Sequence, residues 1–183
     1  MKVLVVVDMQ NDFIDGSLGT KEAQAIVPNV KEKIREAIKN NDLIVYTRDT
    51  HTVDYLDSKE GKKLPVEHCI YKTDGWRIPD DLLPPFTYEN AVIYDKPTFG
   101  YTKLPYKIRS LMAGAMSGKC DEIEVIGLCT DICVVSNTML LKAEFYDEIE
   151  ISVDASCCAG VTPETHEAAL KTMEMCQINV KRG

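Results

Sequence analysis

Residues 3–7 are Val, Leu, Val, Val and Val, and the run stops at Asp8. A strand apolar on consecutive positions has no solvent face, so it belongs inside a parallel sheet covered on both sides. Further short strand patterns follow at helix-sized intervals. Residues 43–47 end at Arg48 and Asp49, and 91–94 end at Asp95 and Lys96. Residues 122–126 and 148–153 alternate in polarity, and 177–181 can form a short last strand. Between them, helical spacing predicts helices over 29–40 with Pro28 just before it, 104–115 with Pro105 in its first turn, 134–146, and 162–176 opened by Thr162, Pro163, Glu164 and Thr165. Strand and helix alternate without an internal repeat. The predicted fold is α/β, a three-layer Rossmann-like sandwich with a mostly parallel six-stranded sheet and helices on both faces.

The exception to this rhythm is residues 50–90, with Pro65, Pro79, Pro84 and Pro85 and no sustained period. Loops of that length are uncommon unless they cover or build a site. At 183 residues the chain fits one domain, 1–183, with the 50–90 excursion inside it. A net charge of −8 argues against nucleic-acid binding, which needs clustered Lys and Arg. The first apolar run is too short for a membrane span and lacks a small-residue cleavage site. Seven cysteines without CxxC spacing or a compact framework suit a reducing cytoplasm better than a disulfide scaffold, a redox pair or a zinc ribbon.

In a parallel sheet, ligands bind beyond the carboxyl ends of the strands. Asp8, Asp49, Lys96 and the turn from Cys129 to Cys133 all fall there. Cys133 sits where a strand hands over to a helix, a position at which unsatisfied N–H groups and the helix dipole favour a thiolate and lower the thiol pKa. An aspartate beside it can take its proton, and an ammonium between them holds the charges in place. The plain alternatives are a small buried cysteine and solvated strand ends.

Three ordered stretches then carry a resemblance over nearly the whole chain. They are Val7, Asp8, Met9, Gln10, Asn11, Asp12 and Phe13; Asp95, Lys96, Pro97, Thr98, Phe99 and Gly100; and Gly127 with Thr130, Asp131, Cys133 and Val134. Val153, Asp154 and Ala155, followed by Glu164 and His166, match the usual tail. The chain resembles the isochorismatase-like cysteine hydrolases, the superfamily of nicotinamidase and N-carbamoylsarcosine amidase. The resemblance implies Cys133 as nucleophile, Asp8 as general base and later acid, and Lys96 as the triad lysine. It also implies a cis peptide between Leu128 and Cys129, with the N–H groups of Cys129 and Cys133 forming an oxyanion hole. The implied reaction is hydrolysis of a small-molecule amide through a thioester, nicotinamide to nicotinate plus ammonia in the leading case.

Asp49 and His51, with His68 returning through the long loop, resemble the nicotinamidase metal site. Side chains two apart on an extended segment share a side. A further histidine common in relatives is missing, and Glu60 is a substitute oxygen ligand. The implied cofactor is a divalent metal, zinc first, with iron and manganese as alternatives; His51 and His68 as polar loop residues is the plain reading. Phe13, Phe99 and Leu128 are implied substrate contacts, although Phe13 fits a core position equally well. Leu64 stands before Pro65 where nicotinamidases often place an aromatic ring that packs on the pyridine, leaving Trp76 or Phe99 to supply a face. His166, on a charged helix, reads as structural or solvent-facing. The rival functions are a metal-free hydrolase of a carbamoyl or ureido compound and a non-catalytic small-molecule binder on the same fold. Relatives imply a dimer or tetramer.

Overall fold

The computed structural model describes residues 1–115 and 120–182. Six strands form one sheet: β1 (Lys2–Val7), β2 (Leu43–Asp49), β3 (Ala91–Lys96), β4 (Glu122–Leu128), β5 (Glu150–Ala159) and β6 (Asn179–Lys181). Their order is β3-β2-β1-β4-β5-β6, and every neighbouring pair is parallel. The apolar run in β1 lies at the centre, with residues 3–7 buried.

The helices are α1 (Asn11–Ile14), α2 (Lys21–Lys39), α3 (Leu104–Ala115), α4 (Val135–Phe145) and α5 (Pro163–Met175). The crossover β1-α2-β2 steps toward the β3 edge, whereas those through α3, α4 and α5 step toward β6. Right-handed crossovers in opposite directions place α2 on one face and α3–α5 on the other. The packing agrees: α3 meets α4 and α4 meets α5, while α2 lies on the strands. The three-layer sandwich read from the sequence is present, and among the described residues no helix is long and apolar enough to cross a membrane.

The strand order reverses between β1 and β4, the switch point where such sheets bind ligands. The two strands approach closely there. Gly127 pairs with Val7 and has φ 118°, and a Cβ at this position would drive into the Val7 carbonyl oxygen. Only glycine fits, so the start of the turn carrying Cys133 is fixed against the end of β1.

Several boundaries differ from the expected ones. The helix expected over 29–40 begins eight residues earlier, at Lys21, and runs through Pro28. The Thr20 hydroxyl accepts from Ala23 N at 3.0 Å, and Ala23 and Ile26 extend the buried stripe of Val30, Ile34 and Ala37 across the proline. Burying one isoleucine contributes about 1.5–3 kcal/mol and a cap about 1, comparable with the roughly 3 kcal/mol that an interior proline costs. β5 runs to Ala159 because a bulge between the Val125–Val153 and Gly127–Cys158 pairs interrupts the alternation without ending the strand. The helix expected from 134 is preceded by a π-helical turn, Thr130–Val134. Residues 50–90 are irregular, as read, apart from two short 3₁₀ turns and one bridge between His51 and Ile70.

Candidate active site and metal centre

Asp8 is the first residue beyond β1, and its φ of 48° turns the chain out of the sheet. One carboxylate oxygen, Oδ1, accepts from the Thr47 hydroxyl at 2.7 Å; the other, Oδ2, lies 2.6 Å from Lys96 Nζ. Lys96 ends β3, two strands away, and its long side chain passes the end of β2 to reach both Asp8 and the turn after β4. Its ammonium lies 3.5 Å from Asp49 Oδ1 and donates to Cys133 Sγ at 3.6 Å. Residues 8, 96 and 133 therefore converge at one mouth of the sheet, with the Asp8 and Lys96 side chains wholly enclosed.

Burial is the largest influence on each group. It pushes Asp8 up, against the pull of the Lys96 charge, with Asp49 pushing it further up. For Lys96, burial opposes the charge, but Asp8, Cys133 and Asp49 outweigh it and hold the ammonium firmly protonated. Burial also pushes the Cys133 thiol well above its usual range, reinforced by the Asp8 charge and only partly offset by Lys96. Burial and the Asp8 and Asp49 charges thus work against the thiolate expected from helix position alone, while the Lys96 ammonium works for it.

Asp49 links this group to a second one. Its Oδ2 lies 3.0 Å from His51 Nε2 and 3.7 Å from His68 Nε2, and Glu60 Oε1 lies 3.7 Å from His51 Nε2. One ligand atom from each of Asp49, His51, Glu60 and His68 lies within 4.8 Å of the others. His68 Nδ1 is 2.8 Å from the Val66 carbonyl, which can only accept, so Nδ1 carries the proton and the Nε2 lone pair faces the cluster. Asp49 Oδ1 and Glu60 Oε1 are buried without a hydrogen-bond partner among the described residues. Two histidine nitrogens and two carboxylates converging on one point, with Glu60 Oε1 lacking a hydrogen-bond donor, fit a divalent cation.

A cavity of about 200 Å³ opens over Cys133 and touches Asp49, Glu60 and His68. Phe13, Leu18, Leu64, Phe99, Ile132 and Val161 make most of its wall apolar. It is smaller than the roughly 300–1,000 Å³ typical of drug-sized ligands. Phe13 and Phe99 line it. Leu128 is fully buried outside the lining, and Trp76 is occupied elsewhere: its indole N–H donates to Thr50 Oγ1 at 2.8 Å and Arg48 stacks on it at 3.7 Å. The Leu128–Cys129 peptide is cis, and Cys129 also lines the cavity. Burial raises the Cys129 thiol to about 12, so it remains neutral.

Sequence reasoning misses the residues that hold these groups. Gln10 is fully buried; its Nε2 donates to Asp49 O at 2.8 Å and Trp76 O at 2.9 Å, and its Oε1 accepts from Asp49 N at 2.6 Å. Asp12 Oδ2 accepts from Cys69 N at 2.7 Å, securing the segment that carries His68. Both lie in the first matching stretch, but polar residues after a strand look like ordinary loop. The partners they bind lie up to 66 residues away.

An isochorismatase domain family model matches residues 2–181. The chain is 29% identical over 180 residues to the uncharacterized isochorismatase family protein PncA of Bacillus subtilis strain 168, covering 92% of each chain. It is 25% identical over 194 residues to the nicotinamidase/pyrazinamidase of Mycobacterium tuberculosis, covering 98% of each. Among solved structures, the pyrazinamidase of Pyrococcus horikoshii in complex with zinc superposes with a TM-score of 0.78 at 27% identity, covering 100% of this chain and 99% of the other.

Proposed function

Because the chain belongs to the isochorismatase domain family, we propose that it is a cysteine amidohydrolase, one domain over 1–183, that cleaves the C–N bond of a small amide, with nicotinamide as the leading substrate. The observation that carries this reading is the enclosed Lys96 ammonium touching both Asp8, at 2.6 Å, and Cys133, at 3.6 Å, beside the cavity. The nicotinamidase and pyrazinamidase names of its relatives support the substrate class.

In the proposed sequence, Asp8 accepts the Cys133 proton as sulfur attacks the amide carbonyl carbon. A carboxylate with a raised pKa is a stronger base for this step than an ordinary surface aspartate. The backbone N–H groups of Cys129 and Cys133 stabilise the developing oxyanion; loss of one such donor typically costs about 10²–10³ in rate. Asp8 returns the proton to nitrogen, the C–N bond breaks, and ammonia leaves a thioester. Water then attacks the thioester carbon with Asp8 again taking a proton, releasing the carboxylic acid and restoring the thiol. Lys96 stays charged throughout and holds Asp8 in line with the sulfur. A divalent cation held by Asp49, His51, Glu60 and His68, when bound, supplies a Lewis-acid anchor for an electron-rich substrate atom. Zinc fits the donor set and is present in the Pyrococcus relative.

A second reading rests on Leu64. It places an aliphatic rather than an aromatic side chain on the cavity wall, which suits a carbamoyl or ureido amide as well as a pyridine ring. The test is ammonia release from nicotinamide, pyrazinamide and carbamoylated amines, with Cys133→Ala as control. Release from nicotinamide that is lost in Cys133→Ala supports the leading reading; release only from carbamoylated amines selects the second. Undiminished turnover by Cys133→Ala ends the mechanism.

A further inference from the structure

The turn that carries Cys133 is held from outside the cavity by a histidine that the mechanism does not use. Thr130, fully buried, opens the π-helical turn, and its hydroxyl lies 2.8 Å from Nδ1 of His166 on α5. Asp131, the next residue, accepts from the Val161 amide through both carboxylate oxygens, at 3.1 and 3.2 Å. Gly160 leaves the space for this contact: a Cβ there would lie 2.9 Å from the His166 backbone. The start of α5 is itself fixed, because the Thr162 hydroxyl accepts from Thr165 N and the Thr165 hydroxyl accepts from Thr162 N.

We infer that His166 is a positioning residue for hydrolysis: its Nδ1 accepts the Thr130 hydroxyl proton and thereby sets the orientation of the turn that presents Cys133. This rests on Cys133 being the nucleophile. His166 lies beside Glu167, with Nε2 4.0 Å from Oε1, and Asp131 and Arg182 are the other charged groups acting on it. Burial lowers its pKa and favours the neutral ring, and an Nε2–H turned toward Glu167 leaves the Nδ1 lone pair to accept. Protonation turns Nδ1 into a donor and forces the hydroxyl to turn around. The turn is then held less well. Misplacing a reacting atom by about 1 Å can cost about 100-fold in rate.

Three variants separate orientation from bulk. His166→Asn keeps an acceptor oxygen near the Nδ1 position but cannot be protonated; His166→Leu keeps much of the volume without an acceptor; Thr130→Val removes the donor. We expect His166→Leu and Thr130→Val to lower kcat about 10- to 100-fold with KM changed less than about threefold. His166→Asn should restore most of kcat and lack the acid-side loss of activity expected of the parent, which sets in below the ordinary imidazole range because burial lowers the His166 pKa. Iodoacetamide trapping of Cys133 in the same variants provides a readout independent of turnover, and circular dichroism selects the folded ones. Slowed trapping in His166→Leu that recovers in His166→Asn supports the inference. Equal behaviour of the Asn and Leu variants, in either direction, overturns it by showing that the side chain serves as volume alone. If Cys133→Ala still hydrolyses substrate, the nucleophile assignment fails instead, and the trapping rates still decide whether His166 orients the turn.

Discussion

Lys96 Nζ stands 2.6 Å from Asp8 Oδ2, and neither side chain is exposed to solvent. Taking both charges out of water costs several kcal/mol, and a buried pair seldom returns more than that cost as stability. The arrangement makes sense as chemistry, because the same ammonium reaches Asp49 and Cys133.

Removing that cation leaves two buried carboxylates facing each other. Lys96→Met keeps the length and apolar stem of the side chain, so the loss is electrostatic rather than a cavity. Breaking a buried pair typically costs about 3–5 kcal/mol. Urea denaturation at pH 7 should show a drop of that size together with loss of hydrolysis. A variant as stable as the parent would mean that Asp8 or Asp49 is already neutral.

Asp8→Asn preserves shape and removes the proton acceptor. The expected fall in kcat is about 10²–10⁴. Loss of the Asp8 charge by itself eases thiolate formation, so alkylation by iodoacetamide, measured by mass spectrometry of the peptide containing Cys133, should slow only if Asp8 is the group that takes the thiol proton. Unchanged alkylation with reduced kcat would place the role of Asp8 after attack rather than before it.

The layer order and the rim were legible because buried parallel strands are nearly continuous apolar runs that stop where the backbone leaves the sheet, as at Asp8. Asp49 and Lys96 fell at such stops for the same reason. The start of α2 was not legible, since Pro28 suits a first turn and only burial of Ala23 and Ile26 shows that the helix passes through it. The upward pull on the Cys133 thiol was also hidden. A helix-end argument counts one dipole, whereas the folded site adds full burial and two carboxylates from separate strands. Gln10 and His166 fall in matching stretches, but their partners lie at long sequence separation, so nothing local shows what they hold.

The metal reading is open to a direct test on purified protein stripped by a chelator. Zinc added to about 100 times its dissociation constant should stabilise the fold by about 2.7 kcal/mol, raising the melting midpoint roughly 5–10 °C for a chain of this size. His68→Gln and Glu60→Gln should each weaken the shift, and Asp49→Asn should remove most of it. A midpoint indifferent to zinc, manganese and ferrous iron in the parent would show that the four side chains hold no such ion.

Far from the site, Glu122 at the start of β4 offers a pH-dependent test of the fold itself. It accepts from the Ser152 hydroxyl and pairs with Lys181 and, at 2.6 Å, with Lys2. Burial alone would raise its pKa, but these three partners outweigh burial and hold the carboxyl at about 2. A depressed folded-state pKa means that the folded chain resists protonation. Its contribution is therefore complete above the unfolded value of about 4.3 and is lost as pH falls toward 2. The full shift corresponds to about 3 kcal/mol, but the Lys2 and Lys181 side chains are 52% and 33% exposed, so solvent screening reduces it to about 1–2. Glu122→Gln should accordingly be less stable than the parent by about 1–2 kcal/mol at pH 7, with the gap closing between about pH 4.3 and 2 in matched urea titrations. A gap that stays constant over that range would trace the loss to packing and not to the charge.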